Sequence, residues 1–209
     1  MQHTKEQLLE NEVKHLNITE FNAVPVVNAM AQTAFQGRNL GRAAKIYEQM
    51  LRDDNCTVIL CLAGSLISAG MKQAVVDMIN LNMVDAIVST GANIVDQDFF
   101  EGLGFKHYQG SQYLDDNQLR DLAIDRIYDT LIDEDNLRVC DNTICEIADG
   151  LPAKPYSSRE FIYEMGRYLV KQNKNVPSLV QAAFEKNVPI FCPAFSDCSA
   201  GFGLSLIHI

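Results

Sequence analysis

The sequence lacks any apolar run of the roughly 20 residues needed to cross a bilayer. It also lacks an apolar leader: the opening "MQHTKEQLLENEVKHL" is charged throughout, unlike a secretory signal. No low-complexity tract or internal repeat is present. The six cysteines (Cys56, Cys61, Cys140, Cys145, Cys192, Cys198) include no C-x-x-C pair, and no histidine lies near them at zinc spacing. Several sit in apolar runs, where cysteine acts as a small core residue. No metal site is therefore expected, and a reducing, cytoplasmic compartment is. Positive charge is scarce, with 17 Lys and Arg against 27 Asp and Glu and a net charge of -10. That balance argues against strong nucleic-acid binding, which needs clustered cations. It suits a cationic ligand, although acidic surface is most often a solvated face. The dinucleotide fingerprint G-x-G-x-x-G is absent too; "GSLISAG" has only its end glycines.

What is present is 209 residues, 47% of them hydrophobic, enough for one compact domain with an N-terminal appendage. Spacing of Leu8, Leu9, Val13 and Leu16 predicts a helix over 4–16, with Thr4 as cap. A second helix is expected from Pro25 through "VVNAMAQTAFQ", and a third over "LGRAAKIYEQMLRD". Three apolar runs rich in β-branched residues, "CTVILCLA", "MVDAIVST" and "VPIFCPAF", read as strands covered on both faces. Gly turns and helices follow the first two, giving βαβ units. Residues 105–117 read as irregular and "NQLRDLAIDRIYDTLID" as helical. Further helices are expected over "EDNLRVCDNTICEIADGL", "SSREFIYEMGRYLVKQN" and "VPSLVQAAFEKN", the second opened by a Ser157/Glu160 capping box. The class is α/β, with a Rossmann-like parallel sheet flanked by helices and an N-terminal helical extension.

In such sheets ligands bind beyond the carboxyl ends of the strands. Three ends are rich in small polar residues: Gly64-Ser65-Leu66-Ile67-Ser68, Ser89-Thr90-Gly91-Ala92-Asn93, and Ser196-Asp197-Cys198-Ser199-Ala200-Gly201. Glycines there let a phosphate or ribose approach, and amides and hydroxyls supply donors. The same residues also make ordinary tight turns. Asp96, Asp98 and Asp197 could hold ribose hydroxyls or an ammonium, or could cap helices. Asp115-Asp116 and Asp133-Glu134-Asp135 read as loop and helix-start acids. His107 with Tyr108 is a weaker site element, and His3, His15 and His208 carry little signal.

The stretch "LISAG…NMVDAIVSTGA", with "TAFQGRNLGRA" and "VPIFCPAFSDCSAG", resembles the deoxyhypusine synthase family. "STGAN" and "CPAFSDCSAGFG" resemble its deoxyhypusine synthase-like branch more than the eukaryotic enzymes. The resemblance implies an NAD-dependent transferase. Hydride leaves spermidine to NAD, 1,3-diaminopropane departs, and an aminobutyl group passes through an enzyme lysine to an acceptor amine. The acceptor is a protein lysine, giving hypusine's precursor, or free putrescine, giving homospermidine. A homotetramer is implied as well. By position, Gly64, Ser65, Leu66, Ile67 and Ser68 match the first NAD-contacting turn and Thr90, Gly91 and Ala92 the second. Asp96 matches an acid touching both cofactor and polyamine, and Asp197 the nucleotide-binding acid.

The resemblance is not complete. Val95 and Phe202 stand where eukaryotic members carry acids, so spermidine would not be held in the eukaryotic manner. The family's catalytic lysine falls outside this sequence, and Lys154, Lys171 and Lys174 read as surface residues. The organisation implied is an N-terminal helical region over 1–54, an incomplete NAD-binding domain over 55–204 and a non-native or truncated tail over 205–209. Such a chain is expected to be inactive alone. A non-catalytic, NAD-binding or oligomerising relative is the competing reading.

Overall fold

A computed structural model describes residues 3–199, 201 and 204. Phe202 and the "SLIHI" ending lie outside the described residues. The chain opens with α1 (Lys5–Leu8), whose Thr4 forms a capping box with Gln7. The expected helix over 4–16 is corrected here, because residues 11–16 leave the helix and run along a strand. Gln109 N donates to Asn11 O at 2.7 Å and Val13 N to His107 O at 2.9 Å. Next come α2 (Val24–Met30) and α3 (Phe35–Arg52), packed on each other. They lie largely outside the core, where Phe35 is 89% and Val24 63% exposed.

The parallel sheet has the order β1 (Ile59–Leu62), β2 (Ala86–Ser89), β6 (Ile190–Phe191). Ile59 pairs with Ala86, and Ile87 with Ile190. The crossover α4 (Lys72–Asn80) packs against α9 (Leu179–Lys186). Helix α8 (Ser158–Gln172) carries the expected Ser157/Glu160 capping box and packs on α9 and β6. Strand β1 is not covered on both faces: Ile59 is 56% exposed, and Cys61 is exposed. The core runs through Ile87, Phe99, Phe100, Ile144, Met165 and Leu179, all essentially buried. Each such side chain contributes about 1.5–3 kcal/mol on leaving water.

Residues 105–133 overturn two expectations. A second, antiparallel sheet is built from β3 (His107–Gln109), β5 (Thr130–Asp133) and β4 (Ile124–Ile127), in that order. Only α6 (Asp116–Asp121) of the expected long helix exists. A turn at Tyr128-Asp129 folds β4 back on β5, with Tyr128 at φ +57°. The 16-residue helix α7 (Glu134–Asp149) follows.

Candidate functional site

The three strand ends meet on one side of the parallel sheet. After β1, Gly64 adopts φ +66°, a left-handed conformation that glycine reaches without strain. No atom lies within 4 Å of where a Cβ would stand, so the approach to this backbone is open. The chain then enters a π-helical turn over Ile67–Met71. Two of its amides are not free for a ligand. Leu66 N donates to Asn93 Oδ1 and Ser68 N to Gln97 Oε1, both at 2.9 Å. Ile67 and Ser68 are buried at 0% and 2% exposure. Ser65 and Leu66 keep exposed surface, so the accessible part of this turn is Gly64, Ser65 and Leu66.

The second turn leads into another π-helical segment, Ala92–Phe99. Thr90 Oγ1 donates to Gly64 O at 3.3 Å, and Asn93 Nδ2 donates to Thr90 Oγ1 at 3.1 Å, stitching the two turns together. Thr90 is exposed, Ala92 partly buried and Gly91 buried. A Cβ at Gly91 would stand 2.6 Å from Cys198 Cβ, so only glycine admits the third loop this close. That loop is fastened by Asp96. Its Oδ1 accepts from Ser199 N at 3.0 Å and from Ser199 Oγ at 2.6 Å.

Burial pushes the Asp96 carboxyl up, the Ser199 bonds draw it partly back, and the nearby Asp141 charge pushes it up again. Asp141, on α7, is itself pushed up by burial and drawn down by Ser199. Sequence reasoning missed Asp141, whose acid looks like any other on a helix. Asp197 is exposed in the 3-10 turn Phe195–Asp197. A cleft of about 980 Å3 opens beside this turn, lined by Leu151, Pro155, Tyr156, Phe161, Phe195 and Ser196 among others. It includes no residue of the first two turns.

Asp98 is no part of the site. It is fully buried and caps α9 from a distance, accepting from Ser178 Oγ, Leu179 N and Val180 N at 2.6, 2.8 and 2.9 Å. Val95 is also fully buried, in the apolar core. His107, the weaker element, is buried in β3 and bonds Glu101 at 2.6 Å. Burial pushes the Cys140 and Cys192 thiols up, so neither is an activated nucleophile. Lys154, Lys171 and Lys174 are exposed, as the sequence suggests. Among the described residues no group of three His, Cys, Asp or Glu is placed to hold a metal, and no helix is long and apolar enough to cross a membrane.

These features define an α/β protein in which three polar loops converge at the carboxyl ends of a parallel sheet, the edge where ligands bind in such folds. The chain belongs to the deoxyhypusine synthase family, whose model matches residues 25–209. It is 64% identical over 200 residues to a deoxyhypusine synthase-like protein from Chlorobaculum parvum, covering 96% of this chain and 57% of that protein. Against a protein of the same description from Coxiella burnetii it is 56% identical, covering 98% of this chain and 58% of that one. A probable deoxyhypusine synthase 2 from Methanosarcina acetivorans is 39% identical, with 93% of this chain and 55% of that protein covered. The chain thus spans a little over half the length of these curated relatives. The fold resembles the crystal structure of a provisionally assigned deoxyhypusine synthase from Entamoeba histolytica. That match has a TM-score of 0.64 at 20% identity and covers 94% of this chain and 67% of the other.

Proposed function

We propose that the protein to which this chain belongs transfers an aminobutyl group from a spermidine-like polyamine to an acceptor amine, with NAD as cofactor. The observation that carries this reading is the Asp96–Ser199 bond, which draws the third strand end onto the second. The first is already stitched there by Thr90. The open backbone at Gly64 fits close approach by a dinucleotide. In this reading Asp96 takes a ribose hydroxyl or an ammonium, and Thr90 and Ser65 make further polar contacts. NAD would supply reversible hydride acceptance; these residues would bind it, orient it and hold the cation beside it. Asp197 is the proposed contact of the third loop.

Buried, apolar Val95 supports a polyamine mode that relies on Asp96 without an acid at the preceding position. A cytoplasmic, homo-oligomeric protein is part of the same proposal. The exposed apolar residues of α2 and α3, Phe35 and Ile46 among them, support a subunit contact. Incubation of the whole protein with NAD and spermidine should release 1,3-diaminopropane. Mass spectrometry of the products then separates a protein lysine from putrescine as acceptor. Absence of diaminopropane with every polyamine tried would leave the non-catalytic reading standing instead.

A further inference from the structure

Glu101, in the short helix α5 (Phe100–Gly102), is 4% exposed and holds three groups from three different elements. Its Oε2 meets Lys72 Nζ at 2.5 Å and His15 Nε2 at 2.7 Å, and its Oε1 meets His107 Nδ1 at 2.6 Å. Lys72 opens α4 directly after the first strand-end turn. His107 lies in β3. His15 lies in the extended segment 11–16, which β3 pairs on one side.

That segment also touches the turn itself. Leu16 N donates to Gly70 O at 2.8 Å. Gly70 has φ +90°, and a Cβ there would stand 2.9 Å from Lys14 O. The backbone of residues 14–16 therefore lies directly against the last part of the turn. Lys72 is 4% exposed, and its buried ammonium needs a counter-charge. The other carboxylate acting on it, Asp98, already serves α9. Glu101 is thus the group through which the position of Lys72, and of the turn before it, is tied to the N-terminal segment.

Building on the cofactor reading above, we propose that residues 11–16 are a strap that sets the geometry of the turn over 64–70, with Glu101 as its positioning residue. The turn is held at two places. Asn93 and Gln97 grip Leu66 and Ser68, while the strap and Lys72 fix Gly70 and the start of α4. Because coupling between sites is reciprocal, a dinucleotide that orders the turn also tightens the strap. The strap is peripheral: residues 11, 12, 14 and 16 are exposed and 13 and 15 are partly buried. The turn keeps its own bonds, Ala69 N to Ser65 O and Met71 N to Leu66 O. Loosening the strap should therefore shift the turn without unfolding the core.

The test uses the whole protein to which this chain belongs, with His15→Ala, His15→Gln and Glu101→Gln. Amide exchange is read by mass spectrometry over 64–71, and NAD affinity by calorimetry. His15→Ala should speed exchange over 64–71 and weaken NAD about tenfold, within the usual range of site-to-site coupling. His15→Gln, which keeps a donor toward Glu101, should restore most of both. NAD should slow exchange at Val13 and Leu16 in the unaltered protein. Unchanged exchange over 64–71 in His15→Ala overturns the proposal, as does NAD affinity that ignores a loosened turn. If the unaltered protein binds no NAD but the turn still responds to His15→Ala, the strap stands and the cofactor reading falls. Should Glu101→Gln fail to fold, the two His15 variants still decide the matter.

Discussion

Asp98→Ala removes a carboxylate that satisfies three buried donors at the start of α9. Bonds to a charged acceptor contribute about 1.5–3 kcal/mol each. Against them stands the cost of burying the carboxylate, several kcal/mol, which pushes its pKa up despite the opposing Lys72 charge. Truncation removes both terms. It leaves the Leu179 and Val180 amides unpaired and, because Ser178 Oγ accepts from Gln181 N, disturbs the local cap as well. Breaking a buried, hydrogen-bonded charge in this way costs about 3–5 kcal/mol. At about 2–4 °C per kcal/mol for a chain of this size, Tm should fall by roughly 10 °C. Circular dichroism at several urea concentrations gives both quantities. Asp98→Asn, which keeps one acceptor oxygen, should fall between. A loss below about 1 kcal/mol with NAD affinity reduced would refute the reasoning, because that is how a ligand-binding acid behaves.

Burial alone would raise the Glu101 carboxyl. The bonds from His107 and His15 and the Lys72 charge outweigh it and hold the group well below its ordinary 4.5. A depressed folded pKa means its stabilisation is present above about 4.5 and is lost as pH falls below that value. Urea midpoints measured from pH 7 down to 3 should therefore drop more steeply for the unaltered chain than for Glu101→Gln. Gly64→Ala should cost about 1 kcal/mol, since an L-residue is strained at φ +66°, while weakening NAD by tenfold or more; calorimetry and thermal melts check both. Ser199→Ala removes the hydroxyl bond to Asp96, leaving only the backbone N–H at position 199 to hold it, and should speed exchange over 192–199. Unchanged exchange there would show that other contacts hold the loop.

The parallel sheet was legible because each of its strands is an apolar, β-branched run ended by small residues. The helices of the second half were legible through their caps, with Ser157/Glu160 the clearest. The hairpin over 124–133 was not. Its turn is Tyr128-Asp129, with no glycine or asparagine to mark it, and Ile127 and Leu131 also fit a helical stripe. The strand covering was misjudged for a different reason. Composition registers that "VILCL" is apolar, but not which face of β1 is met by other residues, and Ile59 and Cys61 keep theirs exposed. The strap was hidden because a single helical turn at Lys5–Leu8 continues as an extended strand without any breaker residue.

The candidate acids show most clearly what spacing cannot decide. Asp96 and Asp98 are two residues apart just beyond the second turn, yet one reaches the third loop and the other ends in the core. Both belong to the continuous helical stretch 92–102, whose first part is π-helical, a widened geometry often found at functional sites. Its polar residues fan out to separate elements. Asn93 and Gln97 reach the first turn, Asp96 the third loop, Asp98 the start of α9, and Glu101 the strap and α4. Read as a string, "NIVDQDFFE" mixes apolar and polar residues with no sign of where each charge goes. In space every one of those charges is a tie, and among them only Asp96 joins two of the strand-end loops to each other. A substitution in this stretch should therefore report on the element its side chain reaches rather than on its distance from the crevice. Asp98→Ala and Ser199→Ala, two ends of ties that start two residues apart, should produce global destabilisation in one case and local loosening in the other.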